Sequence, residues 1–379
     1  MKLGMSAAEL ARASIGGARW RRFLDRFDWV LFAGMAALVA TGLVNLYSAT
    51  FRTAHSAKFE NQLVWIAIGM AGFTLFAAID YRSLHRLAWL LLGGAIAATA
   101  AVRLLSDPIK GSQRWLDIAG VHFQPSEITK VIVILGLARL LHDRAREELS
   151  RPQLVIGTIA LGVPVLFIAI QPDLGTSILL ALIIASVSAL LAVRLWPLQG
   201  ALAAGLALLP LLWDGMQPYQ KARVLAFLDP SADPTGAGWH TQQSIFAVGS
   251  GRVTGKGFLN ATQNQLDFLP EHWTDFPFSV WAEEWGFIGS IGLLAMFAFL
   301  VLWVLNVAMR APDRFGTAIC LGVAAMLFWH VVVNVAMVIG LAPVVGVTLP
   351  FISYGGSSTI TCFVALGLVA SVSLRRQQF

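Results

Sequence analysis

The chain has 379 residues, of which 57% are hydrophobic and only 13% charged, with a mean hydropathy of +0.71 and a formal net charge of +6. Soluble domains carry roughly 25% charge, so a soluble enzyme, a disordered chain, a collagen-like repeat and a disulfide scaffold are all excluded, and the positive balance reads as membrane topology before nucleic-acid affinity. Ten spans of about 20 residues each would use roughly 200 positions and leave no sizeable water-soluble domain.

Residues 1–27 come first. They carry Lys2, Arg12, Arg19, Arg21, Arg22 and Arg26 and interleave them with Trp20, Phe23, Leu24 and Phe27. The short apolar core and small-residue cleavage site of a signal peptide are missing. This cytoplasmic segment reads either as an interfacial lead-in helix or as a solvated basic arm that enforces topology. Apolar runs long enough to cross a bilayer follow at 29–49, 63–79, 87–105, 128–141 (extended back to Ser126), 154–170, 174–193, 196–213, 287–309, 317–341 and 356–374. With the N-terminus inside, 17 of the 27 Lys and Arg face the cytoplasm and eight face outward, while Arg103 and Lys130 lie within spans. The positive-inside rule therefore predicts an all-α polytopic membrane protein of about ten helices with both termini cytoplasmic. Cys320 and Cys362 fall inside apolar runs and read as small buried hydrophobes, spaced for neither a metal nor a disulfide.

Most connections are short. The exception is residues 214–276, between the seventh and eighth spans, where Phe227, Trp239, Phe246, Phe258 and Phe268 alternate with turn residues. That aromatic content predicts an ordered extracytoplasmic loop packed over the membrane core, the kind of long loop that carries function. The shorter outer loop 106–125 holds Arg114 and Trp115.

Ionisable groups beside or inside the bilayer are expensive and usually functional. Glu127 and Lys130 follow Gln124-Pro125-Ser126 at the start of the fourth span, and their i, i+3 spacing puts them on one helix face. They read either as an ion pair that only orders the helix start or as the polar floor of a cavity opening outward. Asp173, after Gln171-Pro172 and before Gly175-Thr176, reads as a helix cap or a cavity-lining group. The segment 267–284 is the densest cluster of carboxylates and aromatics, with Glu271, Thr274 and Asp275 beside Trp273, Phe276 and Phe278. Asp275 could cap the next helix. Equally, its apolar surroundings would raise its basicity toward that of a general base working near neutral pH. The last motif, Leu349-Pro-Phe-Ile-Ser-Tyr-Gly-Gly-Ser-Ser358, is uncharged; Ser353 and its neighbours can line a polar cavity, or the small residues can serve helix packing.

Taken together these pieces resemble the SEDS family (shape, elongation, division and sporulation), and within it the RodA-like rather than the FtsW-like branch. The resemblance runs from the first span to the tenth. It is carried by Gly111-Ser-Gln-Arg-Trp115, Phe123-Gln-Pro-Ser-Glu-Ile-Thr-Lys130, Gln171-Pro-Asp-Leu-Gly-Thr176, Phe227-Leu-Asp-Pro-Ser-Ala-Asp-Pro-Thr-Gly236, Gly255-Lys-Gly257, Thr262-Gln263, Phe268-Leu-Pro-Glu-His-Trp-Thr-Asp-Phe276 and Leu349-Pro-Phe-Ile-Ser-Tyr-Gly-Gly356. It departs where Pro277 replaces the family's frequent Ile or Val, and where Arg252-Val253-Thr254 follow Gly249-Ser-Gly251.

The resemblance implies a single membrane domain over 1–379 in the bacterial inner membrane, its active site facing the periplasm or exterior. It implies a peptidoglycan glycosyltransferase that polymerises lipid II for cell elongation and shape, by inverting transfer with an undecaprenyl pyrophosphate leaving group. Asp275 falls on the family's essential aspartate, Glu127 and Lys130 on its polar fourth-span pair, and Trp115 on an outer-loop aromatic. Lys130, Arg114, Arg223 or Lys256 would neutralise the departing pyrophosphate, and a divalent cation, Mg or Mn, could share that task. Ser353 joins the substrate-binding set, while Gln124, Ser126, Asp173, Glu271 and Thr274 would line the cavity. The implied partners are lipid II, membrane lipids, the elongation machinery and a class B penicillin-binding protein transpeptidase; no nucleic acid is expected. A lipid II flippase is the main alternative, an inactive scaffold and another polyprenyl-linked sugar transferase being lesser ones.

Overall fold

Lipid offers backbone amides no partners, so an apolar run that spans it must pair its own N–H and C=O groups along a helix. The computed structural model of the chain describes residues 27–51, 55–105, 115–118, 121–145, 150–171, 173–191, 200, 218–229, 237–265 and 272–376. In chain order the elements are α1 (Trp29–Thr50), α2 (Ala57–Ala78), α3 (Tyr81–Leu105), β1 (Leu116–Ile118), β2 (Val121–Phe123), α4 (Pro125–Ala145), α5 (Arg151–Ile170), α6 (Leu174–Leu190), α7 (Pro218–Leu228), α8 (Ala237–Ser250), α9 (Thr262–Gln265), α10 (Pro277–Met309), α11 (Arg314–Val338) and α12 (Gly356–Arg375). Among these, seven helices are long and apolar enough to cross a membrane, and α6 is apolar but shorter. Helices occupy nine of the ten expected runs. The seventh run, 196–213, lies outside the described residues apart from residue 200, as do residues 1–26.

Three local features differ from the sequence reading. Helix α10 begins at Pro277 rather than near 287. Glu283 and Glu284 interrupt the apolar pattern there, yet both are buried because Lys256 and Ser48 meet their carboxylates; a non-helical Gly286 marks a kink just beyond them. The fold is all-helical in class, with one small addition in the outer loop: β1 and β2 pair antiparallel with Leu116 opposite Phe123. The long outer connection, in turn, holds α7, α8 and α9. Helix α8 docks through Ser244, whose hydroxyl donates to the Val338 carbonyl at 2.8 Å.

The core centres on α11 and α12, which are far more enclosed than α1 to α3. Gly367 of α12 lets it press against α2: a Cβ there would stand 2.7 Å from the Phe73 carbonyl oxygen. Small residues are what allow helices to approach so closely without a hydrophobic drive between them.

Each end of the bundle is tied by polar groups. At one end Asp28 caps α1 through Leu31 N and also accepts from Trp303 and Ser373, joining α1, α10 and α12. There too Asp313 caps α11 through Gly316 N and meets Tyr81 and Arg82 of α3. Burial works to raise the Asp313 pKa, but the Tyr81 hydroxyl, the Gly316 N–H and Arg82 outweigh it and hold the carboxyl below its ordinary value. At the other end Asn45 Nδ2 donates to Pro277 O at 3.0 Å, fastening α1 to the start of α10. The turn that carries Asp275 sits immediately before that point.

Candidate active site

Asp275 ends the turn 272–275. Its backbone is fixed from several directions. His272, fully buried, contacts the Ala49 carbonyl at 3.1 Å, and the Trp273 carbonyl accepts from Tyr354 N at 2.8 Å. Buried Asn334 of α11 donates through Nδ2 to Asp275 O at 3.0 Å and to Val347 O at 2.7 Å, pinning the turn to the segment that precedes α12. The side chain of Asp275 stays partly exposed. It is not the cap of α10: that position is Phe276, which makes no side-chain capping bond.

The carboxylate shares its surroundings with a cation. A Cβ built on Gly346 would lie 3.6 Å from Asp275 Oδ2 and 3.8 Å from Arg223 Nη1 of α7, so the two charged groups are no farther apart than the sum of those distances. Gly346 has φ +73°, a conformation that glycine adopts without strain. Both charged groups therefore border the space that a side chain at position 346 would occupy.

A second cation lies close by. Lys58 Nζ, in the first turn of α2, sits 4.5 Å from the Trp273 ring centroid and 5.3 Å from that of Tyr354. The His55 ring packs 4.3 Å from the same indole. The indole in contact with this lysine is two residues from Asp275, and the cation–π contacts hold the ammonium on that side of the turn.

The start of α4 forms a separate, enclosed network. Lys130 Nζ is 2.9 Å from Glu127 Oε1 and 2.8 Å from His330 Nε2 of α11, and only 1% of Lys130 is exposed. His330 Nδ1 lies 2.7 Å from the Met326 carbonyl, which can only accept; the ring is thus a neutral Nδ1–H tautomer whose Nε2 accepts from the ammonium. The side chain of Gln124 donates to Ser126 Oγ at 3.0 Å and to Asp173 Oδ2 at 3.1 Å, and its N–H donates to Ser357 Oγ of α12. Asp173 also caps α6 through Thr176 N at 3.3 Å. Cap and network coexist in one carboxylate, each oxygen taking one role.

The other expected site residues fall as follows. Lys256 is held by Glu283 at 2.5 Å and by Thr262 Oγ1 at 2.8 Å, and Leu259 N donates to Glu284 at 3.0 Å. The glycine-lysine-glycine and threonine-glutamine motifs therefore form a clasp on α10, about two turns along the helix from Asp275. Ser353 Oγ accepts from Leu349 N at 2.7 Å and closes the turn before α12. Thr274 is half-buried beside Asp275, and Trp115 is half-buried just ahead of β1. Arg114 and Glu271 lie outside the described residues. Asp275 belongs to no grouping of three candidate metal ligands among the described residues.

The sequence reading missed His330, Asn334 and Lys58 as parts of these networks. The first two carried a usable signal, since a histidine and an asparagine within the ninth apolar run are rare enough to be suspect. Lys58 gave none, because an exposed loop lysine looks the same whether or not an aromatic box closes on it.

Comparison with known proteins bears on the whole chain. A family model described as "Cell cycle protein", covering FtsW, RodA and SpoVE, matches residues 28–378. The chain is 41% identical to the peptidoglycan glycosyltransferase MrdB of Escherichia coli K12 over 352 residues, which are 90% of this chain and 92% of that one. It superposes with a TM-score of 0.76 at 33% identity on a solved chain from work on the structural coordination of polymerization and crosslinking by a peptidoglycan synthase complex, covering 93% of this chain and 99% of that one. The crystal structure of Thermus thermophilus rod shape determining protein RodA aligns at TM-score 0.70 and 30% identity, over 93% of this chain and 98% of that one.

Proposed function

The chain belongs to the FtsW/RodA/SpoVE family, and from that premise we propose that it is a RodA-type peptidoglycan glycosyltransferase that polymerises lipid II for cell elongation and shape. It is a multi-pass membrane protein. On our reading residues 1–379 form one domain of about ten spans in the inner membrane, with both termini cytoplasmic and Asp275 on the outer side.

The observation that carries the reading is the convergence of Asp275 and Arg223 on the gap at Gly346. In the proposed step the acceptor's sugar 4-hydroxyl attacks the donor's anomeric carbon. A C–O bond forms, the bond from that carbon to the pyrophosphate oxygen breaks with inversion, and the hydroxyl proton passes to Asp275. Undecaprenyl pyrophosphate leaves with the electron pair. A pyrophosphate needs no protein acid, but it does need positive charge as it departs.

Of the described cations that the sequence offered, Arg223 shares the space at Gly346 with the carboxylate, which supports giving it this role. Lys130 is enclosed with Glu127 and His330, and Lys256 neutralises Glu283, so both act on the site through the framework. Lys58 joins Arg223 as a second positive group near the reacting centre. A divalent cation would add charge neutralisation at the pyrophosphate itself.

For the partner we infer a class B penicillin-binding protein that crosslinks the new strand. The support is the likeness to a chain from a synthase complex in which polymerization and crosslinking are coordinated.

The decisive test is Asp275→Asn in purified protein given lipid II. Glycan polymerisation should vanish while lipid II binding and the unfolding temperature stay near those of the parent. Near-parental polymer yield would remove Asp275 as the base. Translocation of lipid II by the parent protein without polymer would instead favour a flippase.

A further inference from the structure

We propose that His85, His142 and Asp143 form a binding site for one divalent transition-metal ion of the zinc class, at the end of the bundle away from Asp275. Helix α4 begins with Glu127 in its first turn and ends with His142 in its last. At about 1.5 Å per residue, its 21 residues separate the two ends by roughly 30 Å.

The three side chains come from two packed helices and already face one another. One ligand atom from each lies within 4.8 Å of the other two. His85 Nε2 is 2.9 Å from Asp143 Oδ1. Arg139 Nε is 3.5 Å from the other carboxylate oxygen, so the arginine orients Asp143 and leaves Oδ1 turned toward His85. Such an outer partner is a usual companion of a metal-bound carboxylate. The rings are steered by Phe315 of α11, which meets His85 edge-on at 5.1 Å and His142 at 6.4 Å.

Two imidazoles and one carboxylate are a zinc-type donor set; magnesium and calcium prefer oxygen alone. Ligands about 2.1 Å from a tetrahedral ion stand about 3.4 Å from each other. The present triangle brackets that size: His85 Nε2 and Asp143 Oδ1 would open from 2.9 Å, and no two of the ligand atoms are now more than 4.8 Å apart. A cavity of about 370 Å³ lined by Trp89, Arg139, Asp143 and Gln153 borders the carboxylate and gives an ion a route to it. The negative end of the α4 dipole also favours a cation here. Arg139 opposes it, and Asp143 offsets that charge. Bound metal would clamp the start of α3 to the end of α4.

The experiment uses the full chain in detergent, with any tag removed, stripped by a chelator and dialysed against micromolar zinc. One equivalent of zinc should be retained, magnesium should not, and cobalt should give the intense visible bands of a tetrahedral site. Zinc should raise the unfolding temperature by several degrees. His142→Asn leaves the His85–Asp143 bond in place, so its metal-free unfolding temperature should match the parent's while zinc retention falls at least tenfold. His55→Asn, at the other end of the bundle, should retain the full equivalent. The assignment fails if the parent holds no stoichiometric zinc, or if His142→Asn holds as much as the parent.

Discussion

Replacing Lys130 by Met tests whether the pair at the start of α4 is part of the framework. Lys130 is 1% exposed and Glu127 7% exposed, so neither charge can be rescued by water without opening the helix. Breaking a buried pair by removing one member costs about 3–5 kcal/mol, because the remaining charge is left uncompensated. Here a second group suffers as well: His330 Nε2 loses the donor 2.8 Å away, and an unsatisfied buried acceptor costs roughly 1–3 kcal/mol. Both costs come from the loss of the same ammonium and are not additive, so the expected loss stays near 3–5 kcal/mol. The double variant Glu127→Gln with Lys130→Met carries no charge and should lie much closer to the parent, with a coupling energy of about 2–3 kcal/mol. Thermal unfolding in detergent, followed by tryptophan fluorescence, reads all three proteins. If Lys130→Met unfolds within about 1 kcal/mol of the parent, or if the double variant is no better than the single, the argument from burial is wrong.

Three further outcomes follow from the geometry. Gly346→Ala puts a methyl group 3.6 Å from Asp275 Oδ2 and 3.8 Å from Arg223 Nη1 at φ +73°, so lipid II polymerisation should fall at least tenfold. The conformational cost should be only about 1–2 kcal/mol, seen as a small drop in unfolding temperature. Asn334→Leu keeps side-chain volume but removes both donations, to Asp275 O and Val347 O; polymerisation and unfolding temperature should fall together, and an unchanged rate would show that the turn holds itself. Asp313→Asn should cost stability in a pH-dependent way. The folded carboxyl titrates below its ordinary value of 3.8, so its contribution is full above that pH and disappears as pH falls through the lower, folded value. Unfolding temperatures of parent and variant should therefore converge in acid; a gap that persists or widens there would reverse the sign.

Much of the helical layout was legible in the sequence, because apolar length alone decides where a chain can cross lipid. The Glu127–Lys130 pair and the Asp173 cap were legible too, since both depend on spacing within a single turn of helix. The start of α10 was not. Glu283 and Glu284 look like a break in the apolar run until Lys256 and Ser48, the latter 236 positions from Glu284, are seen to meet their carboxylates. Ser353 reads as a cavity residue in a glycine-serine motif; that its oxygen also accepts from the backbone of Leu349 is visible only in the fold.

What the sequence determined by itself is the membrane-spanning helical class, the family, and the candidate aspartate, because hydropathy and ordered motifs are properties of neighbouring residues. Which cation accompanies that aspartate was decided only by the fold. Arg223 comes from α7, Asp275 from the turn before α10 and Gly346 from the segment before α12, and they share one space because packing brings them there. Lys130, which resembled a substrate-facing charge, is enclosed because His330, 200 positions away, lies against it. Local pattern specifies helices, but the field around a reacting group is a sum over charges that only tertiary packing places.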